Sequence, residues 1–227
     1  MRRFLLSAAL VALAGDAFAQ SMFRGDAAHT GASSAVAPRQ FHHLKWRFLT
    51  GGRVVSSPVF HDGVVYVGSD DGSLYALVAT SGHRRWRFAT AGPVASTPAV
   101  ARGLVYFMSY DGRFYAVEAD SGKLRWKFTT GGERRFEAKN LHGFLPKNQT
   151  IADPFDMFLS SPVVAEGTVF FGCGDGNLYA LGASTGALRW KLQTGDVVHA
   201  SPAYADGVVY VGSWDSYLYA VEARSGK

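Results

Sequence analysis

One sequence pattern occurs four times in this chain, and its spacing constrains the fold more than any single residue does. Each copy has a Ser-Pro or Thr-Pro step, a short apolar run, a turn, a Tyr-Ala step and a second turn that contains glycine. Two sets of repeated residues, each spaced by 40, 64 and 40, are Pro58, Pro98, Pro162, Pro202 and Tyr75, Tyr115, Tyr179, Tyr219. Trp46, Trp86, Trp126 and Trp190 are spaced by 40, 40 and 64, so one interval carries 24 extra residues. Such a period predicts one array of repeats.

Each repeat has the alternation and the turn residues of four short strands. In the second copy we predict strands over Val94–Val100, Leu104–Ser109, Phe114–Glu118 and Leu124–Phe128. The sequence therefore predicts an all-β fold, a β-propeller of four-stranded antiparallel blades.

Glycine positions predict the hairpin turns. Gly103 and its equivalents close the first hairpin of each repeat. We assign the pair of positive φ angles of a tight turn to the second hairpin, at Asp-Gly steps such as Asp111-Gly112. The fourth copy has Asp215-Ser216 there, so its turn is expected to be wider or strained.

The N-terminus has the features of a secretory signal. Arg2 and Arg3 precede an apolar run over residues 4–14, which is too short to span a bilayer, and Ala17-Phe18-Ala19 forms a cleavage site. We predict a signal peptide over 1–19 and a periplasmic mature chain from Gln20. The short run also argues against a transmembrane anchor, and no cysteine directly follows it, so no lipid anchor is expected in the mature chain.

Charge and cysteine content exclude several functions. The formal charge is +5, and cleavage lowers it to +4, which argues against nucleic-acid binding. Cys173 is the single cysteine, which excludes an intramolecular disulfide, a haem-attachment motif and a cysteine-rich metal site in this chain. Asp26 with His29, and Asp153 with Asp156, have ligand-like spacing but lack a full ligand set, so no metal site is predicted.

The segment Glu118-Ala119-Asp120-Ser121-Gly122-Lys123-Leu124-Arg125-Trp126 resembles the tryptophan-docking motif of the pyrroloquinoline-quinone (PQQ) repeat β-propellers. The resemblance covers residues 45–227, and residues 20–44 form a leader because Phe23–Gly31 is similar to the one in secreted members. It implies that the tryptophan strand is the outermost strand of each blade. The structural docking residues are then Trp46, Trp86, Trp126 and Trp190.

The resemblance also implies where the blades lie. Three complete blades are expected over residues 54–88, 94–128 and 158–192, and a three-stranded blade over 198–223. The remaining strand, over residues 45–50, would complete the last blade in a four-bladed ring. Family members commonly have seven or eight blades, so we favour an N-terminal fragment of a larger propeller.

One face of the propeller is predicted to carry the binding residues. The connection between strands two and three emerges on the same face as the connections between blades, and the insertion over 133–158 belongs to the latter. An alternative is that the charged residues of the insertion pair with one another on a solvated surface. The binding-face candidates are Arg53, Tyr110, Arg134, Arg135, Lys139, His142, His199 and Trp214.

Two functions are compatible with the sequence. The first is a non-catalytic binding or scaffold module of the periplasm, which holds an envelope protein or a small ligand on its loop-bearing face. The second, implied by the resemblance, is a quinoprotein dehydrogenase in which PQQ and calcium oxidise an alcohol or a sugar. The adjacent cysteines and haem motif of many such enzymes are missing here, so we favour the first function and assign no catalytic residue.

Overall fold

The computed structural model describes residues 21–31, 44–133, 135–137, 150–152 and 159–227. Every regular element in these ranges is a β-strand. Blade one comprises β1 (Val59–His61), β2 (Val64–Ser69), β3 (Ser73–Val78) and β4 (Arg84–Ala89). Blade two comprises β5 (Ala99–Ala101), β6 (Leu104–Ser109), β7 (Arg113–Glu118) and β8 (Leu124–Thr129). A short hairpin follows, formed by β9 (Arg135–Glu137) and β10 (Thr150–Ala152).

The second half of the chain repeats this arrangement. Blade three comprises β11 (Val163–Ala165), β12 (Thr168–Gly172), β13 (Asn177–Gly182) and β14 (Leu188–Gln193). Blade four comprises β15 (Ala203–Ala205), β16 (Val208–Gly212) and β17 (Leu218–Glu222). Neighbouring strands of each blade are antiparallel and follow the chain order, and the inner strands β1, β5, β11 and β15 pack side by side in that order. This arrangement confirms the predicted β-propeller blades.

The innermost strand of each blade is shorter than predicted. Only Ala99–Ala101 pair with β6 in blade two, although the alternation extends back to Val94. The reason is the Ser96 hydroxyl, which accepts a hydrogen bond from the Met108 amide at 2.9 Å and donates one to the Met108 carbonyl at 3.1 Å. A side chain thus satisfies main-chain groups that a longer ladder would have paired.

The positive φ angles correct our turn assignment. Two consecutive positive φ angles occur in the two-residue turns between the first and second strands of each blade, for example at Arg102 (φ 52°) and Gly103 (φ 75°). In the second hairpin three residues separate the strands, and Gly112 has a positive φ but Asp111 does not. Two-residue turns need both angles positive, whereas the three-residue turn needs one. In blade four five residues separate β16 from β17, and Ser216 adopts a φ of 76°, so this turn is wider and holds a non-glycine residue at a positive φ.

The tryptophans join neighbouring blades. The Trp86 indole donates to the Ala119 carbonyl at 2.8 Å and lies against Gly122, where an added Cβ would come within 2.7 Å of the ring. A φ of 68° at Gly122 presents the bare Cα to the indole, which explains why glycine stands there. The other three tryptophans donate to equivalent carbonyls: Trp46 to Ala79, Trp126 to Ala183 and Trp190 to Ala223.

A hydrogen bond between an aspartate and a tyrosine recurs in all four blades, at the end of each blade away from the docked tryptophan. The Asp111 carboxylate accepts hydrogen bonds from the Tyr115 hydroxyl at 2.6 Å and from the amide of Ala91 at 3.1 Å. Ala91 belongs to the connection from the preceding blade, so one carboxylate holds its own hairpin and the incoming chain together. Three further aspartates do the same: Asp71, Asp175 and Asp215.

The leader segment links two blades at their inner strands. The Ser21 carbonyl accepts a hydrogen bond from the amide of Val100 in β5, and the Ala27 carbonyl accepts one from Tyr204 in β15 at 2.7 Å. The predicted signal peptide and cleavage site lie outside the described residues. The described residues form no helix with the length and hydrophobicity that crossing a membrane requires.

Candidate functional site

The loop face collects the turns between the second and third strands and the connections between blades. The same main-chain hydrogen bond occurs in three repeats, at 2.8 to 3.0 Å. The amide of Asp70 donates to the carbonyl of Arg53, that of Tyr110 to Pro93 and that of Trp214 to Val197. Each bond ties a turn to the connection that precedes its blade. The repeat therefore places Arg53, Tyr110 and Trp214 on one face of the protein.

A buried acid and imidazole pair lies at the root of the insertion. The Glu133 carboxylate is 2.8 Å from His199 Nε2, and the two side chains are 5% and 6% exposed. Glu133 follows Gly132, whose φ of 92° turns the chain inward, and His199 belongs to the connection that leads to blade four. The pair therefore joins the connection before blade three to the connection after it.

Cys173 completes the buried cluster. Its sulfur lies 3.6 Å from the second carboxylate oxygen of Glu133 and 3.7 Å from the Gly132 carbonyl, and the side chain is fully buried. Burial and then the charges of Glu133 and Asp175 raise the pKa of the thiol far above its ordinary value. The thiol therefore stays protonated near neutral pH and acts as a hydrogen-bond donor, not as a nucleophile.

Trp214 covers this cluster and is itself accessible. Its ring meets the His199 imidazole edge to face, with centroids 5.8 Å apart and an interplanar angle of 83°. The tryptophan is 53% exposed, so one side of the indole rests on the buried pair while the other side faces solvent. Tryptophan is one of the residue types enriched among those that dominate binding energy at protein interfaces.

The remaining predicted residues have different surroundings. Arg53 Nε is 2.8 Å from Asp70 of blade one and remains largely exposed, while Tyr110 is half-buried against the hydrophobic cluster between blades two and three. The prediction placed His199 on the binding surface, but the structure buries its side chain under Trp214. The backbone of Arg135 lies in β9, opposite Ala152. Arg134, Lys139 and His142 lie outside the described residues, as do Asp153 and Asp156.

Sequence reasoning missed Glu133 and the role of Cys173. Glu133 occupies the same position in its repeat as Arg53, a predicted binding-face residue, so the repeat register alone indicates Glu133. Cys173 occupies the position of a serine that makes local hydrogen bonds in the other blades, as Ser109 does to the Gly92 carbonyl at 3.0 Å. A thiol at a serine position, next to an acidic residue where the other repeats have Arg53, Pro93 and Val197, marks this junction as different from the others.

No cluster of the described residues has the ligands of a calcium site. No three His, Cys, Asp or Glu side chains among them gather as a metal would require, and Asp26 is instead hydrogen-bonded to the amide of Thr30 at 3.1 Å. Calcium takes six to eight oxygen ligands, whereas the buried cluster offers one carboxylate beside an imidazole and a thiol.

Three solved structures share this fold with a similarity that covers most of the chain. BamB from Moraxella catarrhalis has a TM-score of 0.63 and 20% identity, over 81% of this chain and 51% of that one. Quinohemoprotein alcohol dehydrogenase from Comamonas testosteroni has a TM-score of 0.68 and 19% identity, over 92% of this chain and 40% of that one. A europium-containing methanol dehydrogenase has a TM-score of 0.70 and 17% identity, over 94% and 48%.

These similarities establish the fold, and this chain spans about half the length of those proteins or less. No curated protein matches its sequence. A family model described as outer membrane protein assembly factor BamB matches residues 28–143 and 146–227, which is most of the chain and includes all four repeats. The chain therefore belongs to this family of PQQ-repeat β-propellers.

Proposed function

We propose that this protein is a non-catalytic binding or scaffold module of the periplasm, and that its loop face holds an envelope protein. The observation that carries the proposal is the exposed Trp214 indole, fixed over the buried Glu133 and His199 pair at the root of the insertion. A rigid aromatic surface loses little conformational freedom when a partner covers it.

The polar pair beneath Trp214 supports a binding role better than a catalytic one. Glu133 and His199 are shielded from solvent, and the thiol of Cys173 is held protonated, so none of the three presents a reactive group at the surface. Their contacts instead fix two interblade connections relative to each other, so the indole keeps a defined orientation.

The comparisons support the same function. The matching family is described as an outer membrane protein assembly factor, and one structure with this fold is BamB. A signal-like N-terminus would deliver the chain to the compartment in which such assembly takes place. We accordingly assign the loop face to a protein of the bacterial envelope.

Site-specific photocrosslinking tests the assignment. A photoreactive phenylalanine at position 214, in cells that secrete the chain, should give a discrete adduct with an envelope protein. The same probe at Tyr217, an exposed residue of the same turn region, is the matched control and should give none. Equal labelling from both positions, or no adduct from position 214, would contradict the proposal.

Purified components then test the contribution of the indole. With the crosslinked protein as the ligand, Trp214→Ala should weaken binding about 30-fold or more, which is about 2 kcal/mol for a central aromatic contact. Tyr217→Ala should leave the dissociation constant unchanged. Because Trp214 is half-exposed, the melting temperature of the alanine variant should stay close to that of the parent, and circular dichroism checks this.

A further inference from the structure

Three arginines meet at a pocket beside blades three and four, on the face opposite the loop face. The pocket has a volume of about 540 Å³, and its cationic lining residues are Arg102, Arg189 and Arg224. Arg102 belongs to the turn between β5 and β6, Arg189 to β14 and Arg224 to the turn that follows β17. Because neighbouring strands are antiparallel, both kinds of turn emerge at the end of the blades away from the loops. Side chains from three blades therefore converge on one pocket.

The walls of this pocket have the same contacts as the other junctions between blades. The Trp190 indole donates to the Ala223 carbonyl at 2.8 Å and covers Gly226, as the other docked tryptophans do at their junctions. The turn that carries Arg224 is therefore held in the same way as its equivalents. The pocket lies between blades that the chain itself contains.

One side chain at this junction lacks a hydroxyl group that the other junctions have. At the position of Phe170, blade two has Tyr106, whose hydroxyl reaches across the junction to the Ala183 carbonyl at 3.1 Å. Phe170 lines the pocket and cannot donate to Ala223, the equivalent carbonyl. The change from tyrosine to phenylalanine therefore leaves space at the wall of the pocket.

The charges at this junction also differ from those at the equivalent positions of blades one and two. Arg85 is the counterpart of Arg189, and Asp120 is the counterpart of Arg224. Burial raises the pKa of the Tyr66 hydroxyl at that junction, while nearby Arg85 lowers it and nearby Asp120 raises it. An arginine and a carboxylate thus stand together there, whereas blades three and four bring two arginines together.

Arg102 adds a third cation to the pocket. Its guanidinium and that of Arg189 converge on Gly167, where an added Cβ would lie 3.6 Å from Arg102 and 4.0 Å from Arg189. Within the part of the chain that the structure describes, Arg102 forms no hydrogen bond or ion pair. Like charges held this close repel unless an anion neutralises them. The residues at the matching positions of the other blades are acidic: Asp62, Glu166 and Asp206.

Glu166 is the one carboxylate among the described residues that line the pocket, and it already has partners. One oxygen of Glu166 accepts from the Tyr204 hydroxyl at 2.7 Å, and the other is 3.5 Å from Arg224 Nε. Both partners belong to blade four. Glu166 therefore balances part of the charge of Arg224 and leaves Arg102 and Arg189 for a different anion.

We infer that this pocket binds a phosphate monoester, with Arg102 and Arg189 on the phosphate oxygens and the organic group toward Phe170. A phosphate monoester carries a charge of about −1.5 to −2 at neutral pH, which two guanidinium groups match. Guanidinium groups also donate paired hydrogen bonds to phosphate. Arg189 donates to the Thr168 hydroxyl, which orients this guanidinium before a ligand binds. The phosphate can come from a soluble ester or from a lipid headgroup such as that of phosphatidic acid.

Titration calorimetry with glycerol 3-phosphate tests the pocket in the full chain. The parent should bind one equivalent saturably, and binding should weaken as the sodium chloride concentration is raised. Arg102→Gln should weaken binding about tenfold, because it removes a charge-assisted hydrogen-bond donor. This variant should keep the circular dichroism spectrum and melting temperature of the parent, because the Arg102 side chain is exposed.

Two further variants separate the pocket from the general surface charge. Phe170→Tyr keeps every charge but adds the hydroxyl that fills the equivalent space in blade two, so it should weaken binding without lowering the melting temperature. Arg125→Gln is the matched control, because Arg125 is an exposed cation at the position of Arg189 in the preceding blade and does not line the pocket. It should leave the dissociation constant unchanged.

Vesicle flotation distinguishes the two sources of phosphate. If the ligand is a lipid headgroup, phosphatidylcholine vesicles that contain phosphatidic acid should carry the parent upward, and free glycerol 3-phosphate should compete. If the ligand is a soluble ester, glycerol 3-phosphate should bind but the vesicles should not. Phosphatidylcholine vesicles alone should carry no protein in either case.

Two results would overturn the inference. The first is the absence of saturable binding to both probes. The second is binding that Arg102→Gln leaves unchanged, or that Arg125→Gln weakens to the same extent, because the phosphate would then contact the protein elsewhere.

Discussion

Replacing Trp126 by alanine should destabilise the protein by about 3 to 5 kcal/mol, the usual cost of truncating a buried large aromatic side chain. The indole is buried between blades two and three, where it donates to the Ala183 carbonyl at 2.9 Å and packs on Tyr106 and Phe114. It also covers Gly186, whose bare Cα leaves no side chain to fill the resulting cavity. The Ala183 carbonyl retains the Tyr106 hydroxyl at 3.1 Å, so the lost hydrogen bond does not leave it unsatisfied.

Urea denaturation followed by far-ultraviolet circular dichroism measures this change without relying on tryptophan fluorescence. Trp126→Phe keeps a ring in the pocket and should cost distinctly less than the alanine variant. Because repeat arrays can unfold in parts, the transition should also be followed by hydrogen exchange, with protection lost first in blades two and three. A loss below about 1 kcal/mol for Trp126→Ala would refute the assignment of the indole as an interblade anchor.

Two further predictions concern the turn glycines and the buried thiol. Gly122→Ala should destabilise the protein by more than about 2 kcal/mol, because a positive φ adds about 1 to 2 kcal/mol of strain and the new Cβ would meet the Trp86 ring. Gly103→Ala is the control, since it has the same kind of strain but open space around the new Cβ. Equal losses of stability for the two variants in urea denaturation would contradict the role of the ring. Cys173 should resist Ellman's reagent in the native state and react with it in urea. The free energy of unfolding should fall as pH rises above the ordinary thiol pKa of 9.0, because only the unfolded thiol ionises there. Rapid native labelling, or a stability that Cys173→Ser leaves equally dependent on pH above 9, would refute this reasoning.

The turn assignments show how far local sequence reasoning reaches. Asp-Gly steps identify hairpins in this chain, but the type of turn depends on how many residues the strand ladder leaves unpaired. The Asp111-Gly112 turn has three unpaired residues and one positive φ, while the Arg102-Gly103 turn has two unpaired residues and two positive φ angles. Strand ends are set by pairing across the blade, so the sequence could not assign these angles.

The candidate site required the tertiary structure for a different reason. The sequence predicts His199 and Trp214 at the loop face from their positions in the repeat. Glu133 lies 66 residues before His199, and only the packing of blade three between their two connections brings the side chains to 2.8 Å. The same packing buries Cys173 against Glu133 and raises the pKa of the thiol.

The sequence by itself determined the repeat unit, the propeller blades and the register of the tryptophans, because strand alternation, turn residues and spacing are local properties that four copies reinforce. The tertiary structure decided which connections meet and which surfaces stay exposed. Blade contacts are formed between side chains from different repeats, as when Phe114 stacks on Phe171, so their outcome depends on how the blades follow one another in space. For that reason the equivalent residues Ser109 and Cys173 have different neighbours: Ser109 donates to the Gly92 carbonyl, and Cys173 lies against Glu133.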